Sequence, residues 1–172
     1  MIIGHLPVGY FATRFLIKKL GLPLNKIWLG IGIFAAIIPD LDYIYWILSN
    51  SQAVTHRGLV TTKPFLYLIL LLIFVTVYCF YKKSWLKMGI IIIFSNIFLH
   101  FLLDTVFYGI QWLYPLSDSY FGIYNVSGYG SGAGIQVADY FHHWYWYLEI
   151  AIWILSVVSV IFSHKKHEFD AR

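Results

Sequence analysis

The sequence predicts an all-α fold, a multi-pass transmembrane helical bundle forming a single integral membrane domain over residues 1–172. Three observations carry this. Mean hydropathy is +0.72, with 60% hydrophobic and only 12% charged residues, about half the charged fraction of a soluble domain. Several runs approach the ~20 apolar residues that a membrane-crossing helix needs. The basic residues gather at one set of run ends, as the positive-inside rule requires.

Taken in order, the opening segment from about His5 to Leu20 would extend about 24 Å as a helix, short of a hydrocarbon core of about 30 Å. It either spans tightly or re-enters, and it counts as a fifth, N-terminal span. It lacks the basic start and small-residue cleavage site of a signal peptide, so it reads as part of the mature protein. Residues 27–48 form the first of four clear spans, interrupted by Pro39-Asp40-Leu41-Asp42. Phe65–Tyr81 and Leu86–Phe107 follow, and Trp144–Phe162 opens on a crowd of aromatic residues typical of a membrane interface. Between the spans lie outer loops at about 49–64 and 108–143. The second contains the Gly- and Ser-rich run GIYNVSGYGSGAGI and reads equally as a binding lid or a tether. The single Cys79 excludes a disulfide framework.

Orientation follows from Lys and Arg. With the N-terminus outside and the C-terminus cytoplasmic, the inner side holds Arg14, Lys18, Lys19, Lys26, Lys82, Lys83, Lys87, Lys165, Lys166 and Arg172, leaving Arg57 and Lys63 outside. This asymmetry is a strong topology signal for a chain inserted in a membrane, with membrane lipids as partners. It accounts for the pI of about 9.1 without nucleic acid.

Against this background the buried ionisable residues stand out, because each costs about 2.5–3.5 kcal/mol on insertion scales and needs a partner or a function. Asp40 and Asp42 follow Pro39, whose ring disrupts the helix. Asn96, His100 and Asp104 recur every four residues and so share a helix face. A His-Asp pair at this spacing is more often a core hydrogen bond than a metal ligand, but imidazole and carboxylate together suit zinc. Topology strengthens the metal reading. Asp40, Asp42, His56, His100, Asp104 and, if the opening segment spans, His5 all fall at the outer level. Six candidate metal ligands thus come from four segments.

Gly4-His5, Pro39-Asp40-Leu41-Asp42, His56-Arg57-Gly58 and His100-Phe101-Leu102-Leu103-Asp104, followed by Tyr114-Pro115, resemble in content and order the YdjM-like inner-membrane proteins, described as metal-dependent hydrolases. The likeness runs from residue 4 to about residue 121, with the last span matching only in general character. One departure is that the family's further histidine after His-Arg-Gly is replaced here by Leu59-Val60-Thr61-Thr62, leaving His56 as the one histidine of that loop. More distantly, the chain resembles the zinc-dependent phospholipase C and P1 nuclease superfamily in an early histidine, in the fourteen-residue interval from Asp42 to His56, and in the His100/Asp104 pair. Ile110 stands where that superfamily has a further ligand histidine, so its third metal site looks absent or rebuilt. The resemblance implies that Asp42, His56, His100 and Asp104 hold one divalent metal. A second would be held by His5 and a bridging Asp104, with Asp40. Zinc is the expected metal, as one or two ions, with manganese or iron as alternatives.

The function expected is hydrolysis of a phosphoester in a lipid or lipid-linked substrate at the outer interface. Arg57 is a candidate phosphate clamp, or else a partner of a ligand carboxylate or lipid headgroup. His142 and His143 are candidates to complete a metal shell or shuttle a proton, or else plain interface residues. Glu149 needs a partner, and Arg14 is the candidate for an ion pair. The alternative is a non-enzymatic membrane protein with a structural metal, or an ion carrier. Below Asn96 the third span is Ser95 and then apolar to Gly89, which disfavours a continuous ion pathway. Peptide hydrolysis is also disfavoured, since no His-Glu-x-x-His signature is present.

Overall fold

The computed structural model describes residues 4–41, 59–107, 109–123 and 144–170, and in these the chain is helical throughout apart from turns and one isolated backbone pairing. The α-helices are α1 (His5–Lys19), α2 (Lys26–Ala35), α3 (Pro64–Tyr81), α4 (Ser84–Phe107) and α5 (Trp144–Asp170), with short 3-10 turns at Ile38–Asp40 and Val60–Thr62. Two of them, α3 and α4, are long and apolar enough to cross a membrane. Large apolar side chains such as Leu68, Leu72 and Phe80 on α3 and Ile154, Leu155 and Ile161 on α5 are exposed. That outward face would be an association liability in water and is what a lipid-facing helix presents.

Local chemistry sets the helix ends. The last turn of α1 carries Lys18 and Lys19 beside its negative dipole end. Gly21 then reverses the chain at φ +65°, with its amide donating to the Lys18 carbonyl and that of Leu22 to Ile17, a termination that favours glycine. Asn25 caps α2 by accepting from the Ile27 amide at 2.8 Å. The expected span over 27–48 is corrected here, because α2 stops at Ala35. Pro39 explains the stop: its ring would strike the carbonyl four residues back, that of Ala35, and it has no amide to continue the ladder. The chain tightens into the 3-10 turn that carries Asp40, while residues 42–58 lie outside the described residues. Pro64 starts α3 at its first turn, where a missing amide costs nothing.

α1 packs against α2, α4 and α5, and α3 packs against α4. In a membrane such packing rests on close approach and interhelical hydrogen bonds, and α1 uses both. Gly32 of α2 lies directly against Thr13, and Gly9 of α1 against Ala36. The faces of α1 and α4 meet antiparallel, with His5 at Asp104 and Thr13 at Asn96. An apolar cluster of Ala35, Tyr67, Ile97, Phe101 and Ile110 joins α2, α3, α4 and the 109–123 loop. That loop is closed by reciprocal 2.9 Å backbone bonds between Ile110 and Phe121. Of the two outer loops expected, only residues 59–63 and 109–123 fall within the described residues.

The expected Arg14–Glu149 ion pair is also corrected. Arg14 donates to the Tyr10 hydroxyl at 2.7 Å and to Ser159 Oγ at 3.2 Å. Ser159 is ten residues beyond Glu149 on α5, about 15 Å along the helix, so Arg14 sits at the wrong height for that carboxylate.

Candidate metal centre

Periodicity brings the polar groups together. On α1, His5, Gly9, Thr13 and Ile17 recur every four residues and all are buried. On α4, Ile92, Asn96, His100 and Asp104 do the same. Antiparallel packing superimposes the two rows, so the histidine that opens α1 meets the histidine and aspartate near the end of α4. The 3-10 turn forced by Pro39 adds Asp40 from the end of α2.

His5, His100 and Asp104 form a cluster able to hold a metal, with one ligand atom from each lying within 4.8 Å of the others. His5 and His100 are each 2% exposed and Asp104 5%. The imidazoles stack with centroids 3.9 Å apart. His5 Nε2 lies 3.2 Å from Asp104 Oδ1 and 3.8 Å from Asp40 Oδ2. His100 Nε2 lies 3.7 Å from Asp104 Oδ2 and 3.6 Å from Asp40 Oδ1. Each carboxylate therefore straddles both rings. The Asp40 side chain, 33% exposed, is the open side of the group. Below it is a small cleft of about 10 Å³ lined by Pro39, Asp40, Thr62, His100, Phe101, Asp104 and Ile110.

Two features fit a cation. With zinc bonds of 2.0–2.2 Å, tetrahedral ligands sit about 3.4 Å apart, and the four N···O separations of 3.2–3.8 Å bracket that value. The second is the tautomer of His100. Its Nδ1 is 2.8 Å from the Ala36 carbonyl, which only accepts, so Nδ1 carries the proton. In the neutral ring Nε2 then aims a lone pair at two carboxylate oxygens, at distances beyond the 2.7–3.2 Å of a hydrogen bond. Such an arrangement calls for positive charge between them. A ligand histidine oriented by a backbone carbonyl through its other nitrogen is the usual supporting contact in metal sites. His5 is less committed, since its buried Nδ1 has no hydrogen-bond partner among the described residues.

One helical turn inward, Asn96 Nδ2 donates to Thr13 Oγ1 at 3.0 Å and to the Ile92 carbonyl at 2.8 Å, and Thr13 donates to the Gly9 carbonyl at 2.7 Å. Further inward, Ile17 and Ile92 are buried and apolar. Thr13→Val keeps the shape and strands one Asn96 donor, so it is expected to cost about 1–3 kcal/mol. The Thr13→Val/Asn96→Leu double variant, which removes both partners, should recover part of that loss, as read from thermal unfolding of the detergent-solubilised protein.

Of the sequence candidates, His5, Asp40, His100 and Asp104 come together here. Asp42, His56, Arg57, His142 and His143 lie outside the described residues. Sequence reasoning missed Thr13, the Ala36 carbonyl and the small residues Gly9 and Gly32. Continuing the four-residue interval from His5 would have found Gly9 and Thr13.

Residues 1–168 match the family model described as YdjM inner membrane protein. No curated protein and no solved structure matches the chain.

Proposed function

The chain belongs to the YdjM inner membrane protein family, and from that premise we propose that it is a membrane-bound, metal-dependent hydrolase of phosphoesters in lipid or lipid-linked substrates. In this reading the protein is a multi-pass bundle with its N-terminus outside and its C-terminus cytoplasmic. The ten-to-two distribution of basic residues supports that orientation. His5, His100 and Asp104 hold the metal, most simply zinc, with Asp40 at the open side. The observation that carries the proposal is the His100 Nε2 lone pair directed at two carboxylates while Ala36 holds Nδ1.

A bound divalent cation supplies Lewis-acid polarisation of a phosphoryl oxygen and a water acidified to near neutrality. The chain's own residues do the rest. Ala36 fixes the tautomer and direction of His100. Asp104 spans the two imidazoles and sets their separation. Asp40, half-buried at the mouth, is the carboxylate placed to accept a proton from an entering water. Pro39, Phe101 and Ile110 give the cleft, which at about 10 Å³ is the size of a single water, an apolar wall that limits how much further water reaches the cluster.

A structural metal or an ion carrier is the other reading. A structural site is closed on all sides, which the exposure of Asp40 argues against. A carrier needs polar groups continuing inward, whereas Ile17 and Ile92 follow Thr13 and Asn96.

The test is phosphate or alcohol release from a panel of phospholipids and generic phosphodiesters by protein purified in a phosphate-free detergent. Hydrolysis abolished by a chelator and restored by zinc is expected. Metal-replete protein inert on every phosphoester offered would sink the hydrolase reading.

A further inference from the structure

Lys63 is 8% exposed, its ammonium lies 3.6 Å over the Tyr114 ring, and no carboxylate pairs with it among the described residues. Burying a cation without a counter-charge is costly, and contact with an aromatic face offsets only part of the cost. The position is not remote from the site. The preceding residue, Thr62, lines the cleft together with Asp40, His100 and Asp104, and Lys63 is itself the N-cap of α3.

The surroundings add further positive potential. α3 has 18 residues, Pro64 at its first turn, and no side-chain cap at its start. Pro64 has no amide, and those of Lys63 and Leu66 donate to the Val60 and Lys63 carbonyls, so among the described residues the Phe65 amide is the open leading donor, at the positive end of the helix dipole. Tyr114, under the Lys63 ammonium, packs edge-on against Phe65 in that first turn at 6.4 Å, so ammonium, ring and helix start form one cluster. A helix start with a lysine beside it is a recurrent way to hold phosphate.

We propose that Lys63 and the start of α3 form an anion subsite beside the acidic cleft. It takes a phosphate group, supplied either by a lipid headgroup or by free phosphate. The proposal rests on the phosphoester reading above and adds the residue that would recognise the substrate's non-reacting phosphate oxygens. Asp40, Asp104 and the histidines would repel that charge or hold the metal, whereas Lys63 would attract it.

The test uses the full chain purified in a maltoside detergent, as wild type and as Lys63→Met, Lys63→Gln and Lys63→Arg. Met keeps the stem packed on Tyr114 without charge, so it guards against simple misfolding, and thermal unfolding checks every variant. The first measurement is inorganic phosphate binding by calorimetry. The second is retention of phosphatidylglycerol, against a phosphate-free galactolipid, from nanodiscs. Loss of the charge is expected to weaken phosphate binding by about tenfold or more, the scale of one charge-assisted hydrogen bond, while Arg retains most of it. A fall in phosphatidylglycerol retention alone, with galactolipid unchanged, supports the subsite and identifies the headgroup as the source. A fall in inorganic phosphate binding alone supports it with free phosphate as the source. Folded Met and Gln variants that bind both probes like wild type would overturn the proposal. Binding needs no turnover, so wild-type phosphate binding in a protein that hydrolyses nothing would count against the hydrolase reading alone.

Discussion

Asp104→Ala is expected to abolish metal retention, from about one equivalent per chain to a background level, with any hydrolysis falling by at least the 10–100-fold seen when even supporting contacts of metal sites are lost. Asp104 is singled out because it is the more deeply buried of the two carboxylates and makes the closest contact of the cluster, with Oδ1 3.2 Å from His5 and Oδ2 3.7 Å from His100. Removing it leaves the two stacked imidazoles joined only by the more exposed Asp40, at 3.6 and 3.8 Å. Asp40→Ala should do less to metal content and more to turnover, because Asp40 stands at the open side. Elemental analysis of the purified variants reads the first quantity and a phosphodiester assay the second. Asp104→Ala with wild-type metal content would remove the cluster from consideration as a metal site.

Two glycines on one helix give the second large effect. A Cβ at Gly32 would strike the Thr13 hydroxyl and lie 2.7 and 2.9 Å from Thr13 Cγ2 and Cβ. Thr13 cannot retreat, since its hydroxyl is bonded to the Gly9 carbonyl and to Asn96 inside the α1–α4 contact. Gly32→Ala must therefore push α2 off α1, and overpacking of this kind costs about 1–3 kcal/mol or more. The shift also moves Ala36, which orients His100, so metal content should fall along with the unfolding midpoint. A Cβ at Gly30, two residues earlier, meets nothing within 4 Å. Gly30→Ala should be neutral or stabilising by up to about 1 kcal/mol through helix propensity. Equal midpoints for the two variants would show that the α1–α2 contact is not the tight one described here.

The sequence made the helical class legible because 60% hydrophobic content and long apolar runs leave few other solutions. α3 and α4 begin within one or two residues of the expected positions because Pro64 and the Lys82-Lys83-Ser84 break mark their ends. Residues 27–48 misled because hydropathy averages over Pro39, whereas the backbone responds to it at Ala35. On α4, Asn96, His100 and Asp104 could be read as a face directly from their spacing. Their partners on α1 were harder to see, since Gly9 and Thr13 carry no hydrophobic or charge signal of their own and stand out only when the four-residue interval is continued from His5. Arg14 and Glu149 were expected to pair on charge alone, but pairing depends on helix height, which spacing within one segment cannot reveal.

The closest pair in the centre joins residues 99 apart in sequence, which sets an order of events during biosynthesis. At about 5–20 residues per second, His5 leaves the ribosome roughly 5–20 seconds before Asp104. During that interval α1 must be held at the membrane with its histidine and its Thr13 unmatched. Metal capture therefore cannot guide early insertion and comes only after α4 has arrived. Once it does, a single ion would clasp the beginning of the chain to its fourth helix, sealing a bundle whose earlier contacts rest on fitted glycines.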